Sequence, residues 1–171
     1  MPDEFQVNLL KGRLLGEGPI ALWFIKRGYC VLPAYDIEIN TGKGPRLFTT
    51  AGGIIVPDLL VFNSERVVWI EAKSKNAFTW FRIGKTWQDG VDKKHWLDYL
   101  RIAEITPWPV WILFMHQGNG VAKDTPINLV PPTGLFGQDI QILKDRIDHE
   151  SDRHARGMVY WNIDDFKRFP N

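Results

Sequence analysis

Three ionisable residues stand inside runs that are otherwise apolar. Asp58 interrupts 56–62, and Glu71 and Lys73 close 67–73. Both runs are rich in β-branched and aromatic residues, and the turn formers Asn63-Ser64-Glu65-Arg66 lie between them. A charge in a buried strand is costly unless it is paired or holds a metal. Glu71 and Lys73 are two residues apart, so a strand puts them on one face. If the two runs pair antiparallel through the short turn, Asp58 comes near Glu71, and two carboxylates and an ammonium surround one point. That set has two readings. Asp58 caps a turn while Glu71 and Lys73 form a same-face ion pair, or the group is a site for a hard, oxygen-preferring cation.

The elements needed to position these groups are legible around them. Gly16-Glu17-Gly18-Pro19 precedes the apolar run 20–27 and Gly28 follows it, which is the punctuation of a helix. A shorter helix is expected over 4–15. Residues 29–39 read as a first strand, with Tyr35, Ile37 and Ile39 alternating against Asp36 and Glu38 and with Pro33 marking an edge or bulge. Residues 40–45 form a loop. Residues 88–104 read as a helix whose face is carried by Val91, His95, Trp96, Tyr99, Leu100, Ile102 and Ala103. Residues 107–117 form a buried strand by composition. Further on, 118–136 is a Gly/Pro-rich connection, 137–154 a helix with a stripe of Ile140, Leu143 and Ile147, and 158–163 a last strand. His149 and His154, five apart, do not match a helical metal pair and read as surface residues.

Pro57-Asp58, twelve intervening residues and Glu71-Ala72-Lys73 resemble the signature of the PD-(D/E)XK nuclease superfamily, which includes Holliday-junction resolvases, VRR-NUC-type nucleases and restriction endonucleases. The order helix, strand, strand, strand, helix, strand over about 16–117 is also similar to the core of that superfamily. The resemblance implies an α/β fold with a restriction-endonuclease-like αβββαβ core, a central mixed sheet flanked by helices. The whole chain would be a single domain, 1–171, with 118–171 as a C-terminal extension. It further implies that Asp58 and Glu71 bind Mg²⁺ (or Mn²⁺) by their side chains and Ala72 by its main-chain carbonyl. Lys73 would contact the attacking water and the phosphate. Next to two carboxylates its ammonium form is favoured, so its role is electrostatic. Glu17 is either a solvated charge tolerated at a helix start or, as the resemblance implies, a further catalytic carboxylate. The helix after the E-x-K strand is expected to present a Lys, Gln or Tyr to the site. Lys93, Lys94, His95 and Tyr99 are the closest matches, and His95 reads as packed or solvated. A VRR-NUC-like pattern would have Gln three before the tryptophan, where this chain has Lys93.

The chain has 171 residues, 44% apolar and 24% charged, in the range of one globular domain with a full-sized core. Net charge is +1, so nucleic-acid binding requires a local patch. From Lys73 to Arg101 seven Lys/Arg face three Asp, a local net of +4. Within that stretch Lys75, Arg82, Lys85, Lys93 and Lys94 could neutralise phosphates, and Trp80 could stack on a base. The plainer alternative is a loop whose aromatics roof the core. Cys30 is the only cysteine, which excludes an intrachain disulfide and a cysteine-based zinc cluster and is consistent with a cytoplasmic location. The first 18 residues hold no long apolar stretch and no membrane-length run occurs, so no membrane partner is expected. The leading expectation is a Mg²⁺-dependent endonuclease acting on DNA, as a homodimer if both strands are cut. Alternatives are a restriction-type or accessory nuclease subunit and a non-catalytic nucleic-acid-binding module of the same fold.

Overall fold

The computed structural model describes residues 13–34, 45–50, 52–118, 120, 125–152 and 157–170. Expectations for residues 1–12 and 35–44, including the alternating half of the first strand, lie outside the described residues, as does His154.

A π turn, Arg13–Glu17, runs into helix α1 (Gly18–Ile25). Proline in the first turn costs nothing there, because that N–H has no helical partner. Gly28 takes φ 81° just past the end, a left-handed conformation open to glycine. Strand β1 is Cys30–Pro33, and a separate hairpin, β2 (Arg46–Thr49) and β3 (Gly52–Ile55), follows it. Then come β4 (Leu59–Phe62) and β5 (Val67–Lys75), joined by the expected turn, where Asn63 Oδ1 accepts from the N–H groups of Glu65 and Arg66 at 2.9 and 3.0 Å.

Between β5 and the next helix lies another hairpin, β6 (Thr79–Phe81) and β7 (Thr86–Asp92), leading into α2 (Lys93–Ile105). The helix expected from residue 88 therefore starts five residues later. Residues 88–92 pair instead with 158–162, from Gln88↔Asn162 to Asp92↔Met158. Asp92 ends the strand and caps the helix, accepting from the Lys94 N–H at 2.9 Å.

The remaining elements are β8 (Val110–His116), β9 (Gly134–Asp139), a short α3 (Ile140–Lys144), β10 (His149–Ser151), β11 (Met158–Asn162) and β12 (Lys167–Phe169). The long helix expected over 137–154 is replaced by the end of β9, one helical turn and an edge strand. Ile140 and Leu143 do face the core, but sheet pairing on both sides overrides the helical period.

The main sheet is mixed, in the order β1-β4-β5-β8-β9-β12; only β5 and β8 are parallel, with α2 on the crossover between them. The residues after 117 thus complete this sheet through β9 and β12 rather than hanging from it. A second sheet, β10-β11-β7-β6, packs with α2 over one face. Alternation along β8 sends Ile112 and Phe114 to that face, with Trp96, Tyr99, Ile102, Val91 and Trp161, while Leu113 joins Ile20, Leu59, Val61, Ile70 and Ala72 on the α1 face. Among the described residues no helix is long and apolar enough to cross a membrane.

Candidate active site

The β4–β5 register fixes the centre of the site. Leu59 pairs with Ile70, so Asp58, one residue before β4, lies opposite Glu71. Ile70 and Ala72 belong to the α1 face, which turns Glu71 and Lys73 toward α2. Asp58 Oδ2 accepts a 2.9 Å hydrogen bond from the Ala72 N–H. A residue's N–H and C=O leave a strand along the same edge. The Ala72 carbonyl therefore points to the Asp58 side as well, beyond the last β4–β5 pair. Lys73 Nζ forms an ion pair with Glu71 Oε1. The sequence expectation of two carboxylates and an ammonium around one point is met by the geometry.

Electrostatics sharpen the picture. Burial, and then the charge of Glu71, push the Asp58 carboxyl well above the usual carboxylate range; Glu17 adds to this, and Lys73 and the Ala72 N–H oppose it. Burial works against the Lys73 ammonium, but the Glu71 and Asp58 carboxylates outweigh it and hold that ammonium above its ordinary pKa. Glu17 acts on both groups, which places it in the same field. It gets there because Gly16 lies against Ser74 of β5, where a Cβ would meet Ser74 atoms at 3.0 Å. From α2, Tyr99 and His95 face the site. Burial and then Glu71 raise the Tyr99 phenol, while burial and then Lys73 lower the His95 imidazole. Of the four helix positions left open by the sequence, Lys94 is exposed and Lys93 pairs with Glu150, so the helix offers Tyr99 and His95.

The donor set suits a hard cation. Glu71 is 1% exposed and its Oε2 has no hydrogen-bond partner. A buried carboxylate oxygen left without a partner, beside a second carboxylate that resists ionisation, is stabilised by a bound cation. Among the described residues no three or more acidic, imidazole or thiol side chains cluster tightly enough to hold an ion by themselves. Main-chain and water oxygens would have to complete the shell, as they commonly do for Mg²⁺.

No family profile, curated protein or solved structure matches the chain.

The residues expected to meet nucleic acid fall in separate places. Lys75 Nζ lies 3.3 Å from Asp89 Oδ1 and donates to the Gly90 carbonyl at 3.3 Å. Trp80 packs edge-on against Trp87 at 5.1 Å. Arg82 and Lys85 are exposed on the β6–β7 loop. One polar group escaped the sequence reading. His116, fully buried, stacks on Phe78 at 3.6 Å and sets its Nε2 2.9 Å from Asp89 Oδ2. Its signal was a histidine ending an apolar run at the parity of Ile112 and Phe114. His149, read as a surface residue, is instead half-buried between the rings of Phe81 and Tyr160. A cavity of about 500 Å³ between α1 and the sheet, lined by Trp23, Trp111, Arg27 and Arg66 among others, opens on the opposite face and has no carboxylate in its wall.

Proposed function

We propose that the chain is a Mg²⁺- or Mn²⁺-dependent endonuclease hydrolysing phosphodiester bonds in DNA, built on a restriction-endonuclease-like core. The observation that carries this is Asp58 lying opposite Glu71, with its carboxylate on the Ala72 N–H and Lys73 on Glu71. The element order α1, β1, β4, β5, α2, β8, with two hairpins added, supports the core assignment.

Asp58, Glu71 and the Ala72 carbonyl are the groups that would hold the metal. When bound, such an ion supplies Lewis acidity toward a phosphoryl oxygen and lowers the pKa of a water. Lys73 keeps its proton, so it stabilises negative charge on the phosphate rather than removing a proton from water. Tyr99, whose phenol burial and Glu71 hold protonated, closes the α2 side of the site. Glu17 adds negative charge that strengthens the pull on a cation.

The test compares wild type with Asp58→Ala and Lys73→Ala on supercoiled and linear DNA with Mg²⁺. Both folded variants are expected to lose activity by about a hundredfold or more, the scale of removing one preorganised group. Mn²⁺ binding should vanish in Asp58→Ala. Full activity in either variant rejects the site. DNA binding by a wild type that neither holds metal nor cuts would favour a non-catalytic module.

A further inference from the structure

The β6–β7 hairpin ends in an unusual tip. Its strands pair as Thr79↔Gln88, Trp80↔Trp87 and Phe81↔Thr86, leaving Arg82-Ile83-Gly84-Lys85 as the loop. Ile83 is 87% exposed, with a cation on each side. Neither Arg82 nor Lys85 joins an ion pair among the described residues. Lys85 adopts φ 51°, a left-handed conformation that strains lysine and suits glycine. Strain of this kind persists where the surroundings enforce it, and it clusters at functional positions.

The tip is braced. Trp80 and Trp87 lock the strands together behind it, and Phe81 stacks on His149 at 4.8 Å, which stacks in turn on Tyr160 at 4.9 Å. The other end of β7 is tied to the candidate site through the Asp89–Lys75 contact, two residues beyond Lys73 on the same face of β5.

We propose that this tip is a wedge. Ile83 enters the base stack of bound DNA at a weakened step, while Arg82 and Lys85 hold phosphates on either side. Apolar side chains inserted between base steps cost unstacking free energy, and that cost is least where pairing is already broken. The protein therefore prefers duplex carrying a mismatch over continuous duplex. This inference rests on the nucleic-acid part of the proposed function but not on its chemistry.

The test uses the full chain in EDTA, so that no cleavage occurs. Binding is read by anisotropy on a linear duplex and on the same duplex with a central mismatch, with 2-aminopurine beside the mismatch reporting unstacking. Wild type is expected to bind the mismatched duplex about tenfold more tightly and to raise the 2-aminopurine emission. Ile83→Ala should remove both effects, whereas Ile127→Ala, on another exposed stretch, should change neither. Lys85→Gly should raise the melting temperature, weaken binding to both probes and reduce the salt slope by about one. Retention of the mismatch preference and the emission change in Ile83→Ala overturns the wedge, as does a wild type that shows neither. Cleavage in Mg²⁺ is scored separately. A wild type that passes these binding tests but never cuts refutes the nuclease chemistry and leaves the wedge standing; one that cuts while Ile83→Ala changes nothing refutes only the wedge.

Discussion

Asp58 is a residue held at a cost. Its carboxyl is half-buried and faces Glu71, so ionising it in the folded chain is harder than in the unfolded one. The sign of the linkage follows. A carboxyl whose folded pKa is raised takes up its proton more readily when folded, so its destabilising effect is relieved as pH falls through that raised value and is gone below the unfolded pKa of about 3.9. Asp58→Asn keeps an oxygen for the Ala72 N–H and removes the charge. We expect this variant to melt higher than wild type at pH 7 without metal, with the difference shrinking on acidification. Mg²⁺ should raise the melting temperature of wild type only. An Asp58→Asn chain less stable than wild type at pH 7 would contradict a strained carboxylate. Lys73 behaves oppositely: its raised pKa contributes stability that is complete below about pH 10 and lost above its folded value. Cleavage should accordingly show no basic limb from Lys73 below about pH 10. These groups were readable from the chain because a charge within a strand-like apolar run is rare and its parity assigns a face. His116 and Asp89 were not, because each acquires meaning only through the other, across 27 residues of sequence.

At the scale of elements, α2 shows how local and long-range preferences divide a segment. Residues 88–104 carry an apolar helical period, yet Gly90 lies so close to β11 that a Cβ would meet the Val159 carbonyl at 2.4 Å. That close approach belongs to a strand, and only the pairing partner, some seventy residues away, reveals it. The Asp92 cap was nonetheless in the sequence, as an Asp directly before Lys-Lys-His-Trp. Asp92→Ala should cost about 1 kcal/mol in urea unfolding, with the loss confined to helix capping and metal binding unchanged. A comparable junction holds β7 to β11. Asp148 accepts from Gln88 at 2.8 Å and from Asn162 at 3.1 Å, and lies 2.7 Å from His149 Nδ1. The hydrogen bond with His149, first among these, holds the Asp148 carboxyl below its ordinary value. A depressed carboxylate contributes stability that is present above the unfolded pKa of about 3.9 and disappears as pH falls through the lower folded one. Wild type should lose stability relative to Asp148→Asn only below about pH 4, and an equal pH dependence in the two chains would remove this junction from the account.

Over the whole molecule, the main sheet separates two apolar cores, and both must form for the site to exist. The α1 face positions Glu17 and the backbone of β5; the other face holds the side chains of Glu71 and Lys73 beneath α2. The strands flanking the site could be inferred from the chain because a short turn joins them. The second sheet could not, since its β7–β11 pairing closes a loop of some seventy residues and leaves no local period. Trp161 and Leu113 probe whether the two halves melt together. Trp161 is fully buried on the second-sheet side and donates to the Leu143 carbonyl at 2.8 Å, whereas Leu113 is buried on the α1 side. Trp161→Ala should cost about 3–5 kcal/mol and Leu113→Ala about 2–5 kcal/mol. If the main sheet couples the two cores, each variant should still unfold in one transition, coincident by tryptophan fluorescence and far-UV circular dichroism. An early, separate fluorescence transition in Trp161→Ala would mean that the second sheet opens alone. The Lys75–Asp89 tie would then be too weak to transmit force from the hairpin to the β5 strand end.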